Sequence, residues 1–209
     1  FSGANSYTGA TNVQSGRLTL ANVSAIDQLS RTVVNGTGQL DLYTYSANDS
    51  LDRDKEFKIN QVEIAEGGQL FVSARNPLVA ESISLDANSS VGSISRPGGI
   101  VVEIFEKTDG RESNKAPIRV SEEFNYQSGS LVVQAPVADD PEGRWNIIDG
   151  KVDNAEGLAK NTYLVTSVSD LATFKFDGIN SPIYGPAMYK GYLEDGSLNL
   201  IIEAKTDEE

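Results

Sequence analysis

The 209-residue chain contains no cysteine and no histidine, and only one methionine and one tryptophan. Without cysteine there is no disulfide and no thiolate metal site. Without histidine there is no Ser-His-Asp triad, no Cys-His dyad, no His-Glu-x-x-His zinc site and no imidazole general base. Any such catalytic machinery would have to lie elsewhere in a parent protein. No run of about 18 apolar residues occurs and the N-terminus lacks a basic-then-apolar leader, so a soluble segment is expected, with its targeting signal outside it. Basic residues are scarce: 17 Lys and Arg stand against 30 Asp and Glu, a net charge of -13 and a pI of about 4.4. That sign opposes wrapping nucleic acid or lying on an anionic membrane, so no nucleic-acid partner is expected.

Short in-out-in triplets fill the first half. Leu18-Thr19-Leu20, Leu40-Asp41-Leu42, Phe57-Lys58-Ile59, Val62-Glu63-Ile64, Leu70-Phe71-Val72, Ile83-Ser84-Leu85 and Val102-Glu103-Ile104 alternate as half-buried strands do. Gly16, Gly38 and Gly68 each precede a leucine of this set by two positions, as corner residues would. Leu18, Leu40 and Leu70 are 22 and 30 residues apart, which predicts stacked levels of uneven length with insertions at the corners. The chain has room for about eight or nine levels of roughly 20–30 residues each. One helix is arguable, over residues 22–34, with Ser24 as N-cap and Ile26, Leu29 and Val33 on one face.

The first twenty residues are more specific. Gly3, Asn5, Tyr7, Gly9, Thr11, Val13, Gly16, Leu18 and Leu20 fall on the pattern Ser-Gly-x-Asn-x-Tyr-x-Gly-x-Thr-x-Val-x-x-Gly-x-Leu-x-Leu. This stretch resembles the passenger-associated strand repeat of bacterial autotransporters, departing at Ala10, where the repeat often carries a second glycine. The resemblance implies a surface-exposed or secreted passenger of a Gram-negative bacterium, exported across the outer membrane. It also implies further levels N-terminal in a parent chain and a membrane β-barrel C-terminal to it. The expected fold is all-β: a right-handed parallel β-helix over 1–105, a capping, autochaperone-like portion of the same solenoid over 106–204, and a frayed tail at 205–209.

The second half changes its turn chemistry. Asp109-Gly110, Asp149-Gly150, Asp177-Gly178 and Asp195-Gly196 suit hairpins, because both residues accept positive φ. Trp145 to Val152 and Tyr192 to Leu200 therefore read as antiparallel hairpins that would cover an open sheet edge. Asn161-Thr162-Tyr163-Leu164-Val165, Leu171, Phe174, Gly191-Tyr192 and Gly196 to Leu200 are similar, more loosely, to the stretch that closes such passengers before the barrel.

Candidate chemistry is sparse. Asp52, Asp54, Glu56 and Glu63 match four positions of a calcium loop by count, but Phe57 occupies the sixth, where the turn demands glycine. Asp139, Asp140, Glu142, Asp149 and Asp153 form the densest carboxylate group, with nothing to hold two of them about 5–10 Å apart across a cleft. Arg75, Arg96 and Arg119 are too scattered for a polysaccharide lyase. Tyr43, Tyr45, Phe71, Phe105 and Trp145 are candidates for sugar stacking or a protein contact, against structural aromatic ladders. The expectation is a non-catalytic structural segment without metal or cofactor, serving as rod end and folding nucleus and supporting adhesion. A host glycan- or protein-binding adhesin surface is one alternative, and a polysaccharide-degrading enzyme is the other.

Overall fold

The structure is a computed structural model that describes residues 8–23, 25, 30–42, 55–87, 98–104, 116–135, 142–166, 173–184 and 189–206. It is all-β, with one curled, mixed sheet forming a half-barrel. The strands are β1 (Thr11–Leu20), β2 (Arg31–Leu42), β3 (Phe57–Lys58), β4 (Gln61–Ala65), β5 (Gln69–Ser73), β6 (Leu78–Asp86), β7 (Gly99–Glu103), β8 (Ile118–Ser128) and β9 (Ser130–Ala135). After them come β10 (Gly143–Asp149), β11 (Val152–Asp153), a short helix α1 (Ala155–Ala159), β12 (Thr162–Thr166), β13 (Thr173–Lys175), β14 (Ile183–Tyr184), β15 (Tyr189–Glu194) and β16 (Leu198–Ala204).

Three parallel ladders organise the chain through β12. The first stacks Phe57, Leu78, Ile118 and Ile148. The second stacks Val13, Val34, Ile64, Leu85 and Tyr126. The third stacks Leu18, Leu40, Leu70, Ile100 and Leu131, ending on Thr162. Nearly all of these side chains are buried, and they join one core. Each buried Leu, Ile, Val or Phe stabilises by roughly 1.5–3 kcal/mol, but only because the levels on either side remove it from water.

Glycines set the corners between the second and third ladders. A Cβ added to Gly38 would lie 2.1 Å from the Val13 carbonyl oxygen, and one on Gly68 would lie 2.2 Å from that of Val34. Backbone from the preceding level occupies the space a side chain would need.

The in-out-in triplets are observed as strands or strand ends with buried flanks, except that Leu18 is only half-buried and the central Asp41 is itself buried. The expected unevenness holds only for the first step of the third ladder: 22 residues separate Thr19 from Asp41 and 30 separate Gln39 from Gln69, and Leu70, Ile100 and Leu131 then follow at nearly that same longer spacing. Two expectations need correction. Val33 lies on β2 and not on a helix, because its neighbours Thr32 and Val34 alternate into the core as a strand; Ser24, Ile26 and Leu29 lie outside the described residues. Trp145 to Val152 is not a hairpin. β10 pairs antiparallel with β16 and, at Ile148 and Asp149, parallel with β8, while β11 also pairs parallel with β8. Gly150 supplies its positive φ of 126° to a corner packed on Val120, which an Asp-Gly pair suits as well as a hairpin turn.

The second predicted hairpin is present, with Glu194 opposite Asn199 across Asp195-Gly196. Asp109-Gly110 lies outside the described residues, and Asp177-Gly178 precedes an isolated parallel bridge from Ile179 to Leu193. In the tail, Lys205 sits with its Nζ 5.8 Å from the Tyr184 ring centroid. No helix among the described residues is long and apolar enough to cross a membrane.

Candidate functional surface

Of the repeat-motif residues, Gly3, Asn5 and Tyr7 lie outside the described residues. Gly9 is exposed, and a Cβ there would meet nothing within 4 Å. Thr11, Val13, Gly16, Leu18 and Leu20 all fall on β1, opposite Thr32, Val34, Gly38, Leu40 and Leu42 or adjoining the bulge between Val13 and Ser15. Gly16 takes a φ of 72°, which only glycine adopts at low cost. The described motif residues thus place Val13 before the bend at Gly16 and Leu18 and Leu20 after it, with Val13 and Leu20 buried.

Outward side chains make polar ladders from level to level. Arg17 pairs with Asp41, Arg31 with Glu63, Arg119 with Glu56 and Lys151 with Glu123, and the Gln39 amide donates to Gln69. Ser128 Oγ donates to Asp86 at 2.7 Å. The Arg31–Glu63, Lys151–Glu123 and Ser128–Asp86 pairs are exposed and stabilise little individually, whereas the other three are partly buried. Glu56 and Glu63, two of the calcium-loop candidates, are therefore engaged by arginines on separate strands, and Asp52 and Asp54 lie outside the described residues. Glu142 accepts from the Ala204 backbone N–H at 2.8 Å, and Asp149 and Asp153 are exposed on β10 and β11. Asp139, Asp140 and Arg96 lie outside the described residues.

Sequence reading passed over an outward apolar row on the third ladder. Phe71, Val101, Val132 and Tyr163 occupy successive paired positions, between Asp41 at one end and Lys175 at the other. Phe71, Val101 and Tyr163 are half-buried, while Val132 is 3% exposed although its neighbours Leu131 and Val133 face the core. Lys175 Nζ stands 5.9 Å from the centroid of the Tyr163 ring. The signal was present as the central residue of Leu70-Phe71-Val72, where an aromatic replaces the usual polar outward position. Trp145 is partly buried and packs against the core, and Tyr43, Tyr45 and Phe105 lie outside the described residues.

At the C-terminal end the polar contacts fasten loops. Asn154, itself left-handed at φ 56°, caps α1 by accepting from Gly157 N–H at 3.2 Å. The Glu156 carboxylate accepts the Ile179 N–H at 3.0 Å and pairs with Lys160 at 3.0 Å. These contacts, the backbone bond foremost, hold its pKa below the ordinary carboxylate value. Burial pushes the Tyr126 hydroxyl up, and it donates to the Gly129 carbonyl at 3.0 Å inside the stack.

No family model matches this chain, and neither a curated protein nor a solved structure matches it.

Proposed function

We propose that the chain is the membrane-proximal part of an exported, surface-exposed autotransporter passenger, built as a right-handed parallel β-helix with an antiparallel cover, and that its role is structural. It forms a stable rod end on which further N-terminal coils of a parent chain fold, with a membrane β-barrel following it. The observation that carries this reading is the in-register stack Leu18–Leu40–Leu70–Ile100–Leu131, in which five successively paired strands place leucine or isoleucine two residues after a glycine. A right-handed path follows the strong preference of parallel crossovers. The resemblance of Gly9, Thr11, Val13, Gly16, Leu18 and Leu20 to the passenger repeat supports the export route, since those residues shape one such level.

A folding nucleus must be the part that unfolds last. Amide exchange in rising denaturant should show protection surviving longest in β8, β9, β12 and β16, and failing first in β1 and β2. Loss of protection at β16 before β1 would sink the folding-nucleus role.

Adhesion is the second reading, favoured by the outward row Phe71, Val101 and Tyr163. Outward aromatic and aliphatic groups suit sugar stacking or a protein contact. Phe71→Ser should abolish retention on a host-glycan array or on host cells while lowering the unfolding free energy by about 1–2 kcal/mol, as loss of a half-buried side chain does, with folding still cooperative. Unchanged retention removes this reading.

A further inference from the structure

Asn35 and Gly36 are the one Asn-Gly pair in the chain, and they sit where the pairing of β2 breaks on both edges. On one edge β1 pairs Val13 with Val34 and Ser15 with Thr37, so Asn35 and Gly36 together face Gln14 alone. On the other edge the partners from β4 end at Val34, and those from β5 begin at Gln39. Gly36 is exposed with a φ of 61°, and Asn35 is half-buried. A bulge leaves its extra residue outside the regular ladder, and glycine carries no Cβ to shield the peptide nitrogen.

We propose that this corner is a self-modification site, at which Asn35 converts without an enzyme to aspartate and isoaspartate. Solvent base removes the Gly36 backbone proton, and that nitrogen attacks Cγ of Asn35. The Cγ–Nδ2 bond breaks and ammonia leaves, closing a five-membered succinimide. Water then opens the ring. Cleavage of the bond to Cγ yields aspartate, and cleavage of the bond to the main-chain carbonyl carbon yields isoaspartate. Water enters and ammonia departs, with no oxidant or reductant.

The position makes the product consequential. A Cβ on Gly67 would lie 2.8 Å from the Gly36 carbonyl oxygen, and one on Gly38 would lie 2.1 Å from that of Val13. Backbones of three levels meet here without spare room. Isoaspartate lengthens the main chain by one methylene at this point, so the modified corner no longer nests between β1 and β5. The modification acts as a slow, irreversible loosening of the first levels.

The test incubates the full chain in mildly alkaline buffer made with heavy-oxygen water, followed by peptide mass mapping and by methyl transfer with an isoaspartyl methyltransferase. Label should enter the Asn35 peptide several-fold faster than any other asparagine peptide, with both products present. Asn35→Gln should remove most isoaspartate from the whole chain. Gly36→Ala should slow the reaction too, but its Cβ would stand 2.7 Å from the Gln14 carbonyl oxygen, so Asn35→Gln is the deciding variant. The modified fraction should exchange amides faster in β1 and β2 than the unmodified fraction, with β16 unchanged. Label appearing first at another asparagine, no label at all, or undiminished isoaspartate in Asn35→Gln overturns the proposal.

Discussion

Through β9 the strands of the three ladders pair in parallel with the levels before and after them, whereas β13 to β16 pair antiparallel among themselves and onto β12 and β10. The two regions solve different problems. A parallel level leaves its inward residues half covered and one row of N–H and C=O groups unpaired until another level arrives, so it propagates. An antiparallel pair can close on itself through a tight turn. β16 does this and also buries Leu198, Leu200, Ile201 and Ile202, including the neighbouring pairs on opposite faces of the strand. One glycine from each region shows two different reasons for the residue. Gly68 is glycine because backbone fills its side-chain space, while Gly196 has nothing within 4 Å of a Cβ and is glycine for its φ of 105°.

The sharpest way to break that distinction is to add one methyl at each site. Gly68→Ala drives a Cβ into the Val34 carbonyl and should lower the stability measured by denaturant unfolding by more than about 4 kcal/mol, the range reserved for packing that cannot relax. Gly196→Ala should cost only the left-handed backbone penalty, about 1–2 kcal/mol. Equal losses would remove the distinction. Core truncations sharpen it next. Leu70 and Leu200 are both fully buried, one in each region. Alanine at either should cost about 2–5 kcal/mol, and tryptophan fluorescence and circular dichroism should still report a single transition if the cover and the ladders unfold together. Separate transitions in Leu200→Ala would mean that the cover is an independent unit. The smallest effect is electrostatic. Because the folded state lowers the Glu156 pKa, that group adds stability above the ordinary carboxylate range, lost as pH falls through its folded value. The gap in midpoint between the parent chain and Glu156→Gln should therefore be present near neutrality and close on acidification. A gap that widens in acid contradicts the assignment.

Much of the parallel region was legible. Val62-Glu63-Ile64 and Ile83-Ser84-Leu85 announce their strands and faces, because alternation is a local property and the core accepts only one face. The corner glycines Gly38 and Gly68 were legible too, but the even recurrence of Gly36, Gly67, Gly98 and Gly129 was missed, because the shorter first step from Leu18 to Leu40 hid it. The antiparallel region was half legible. Tyr192 to Leu200 carries its partner within its own turn, but Trp145 finds Leu200 across a long intervening stretch, and Asp149-Gly150 is locally the same signal as Asp195-Gly196. The candidate surface was the least legible, since a row such as Phe71, Val101, Val132 and Tyr163 exists only after register has aligned four separate strands.

Alternation, glycine spacing and the absence of cysteine and histidine are one-dimensional facts, and they were enough to determine an all-β chain without thiol or imidazole chemistry. Which strands became neighbours, which Asp-Gly turned a hairpin and which turned a corner, and which outward residues joined into a row were decided only in three dimensions. The reason is physical: side-chain alternation specifies a face, whereas pairing depends on which distant backbone supplies the missing hydrogen bonds, and the local sequence carries no information about that backbone.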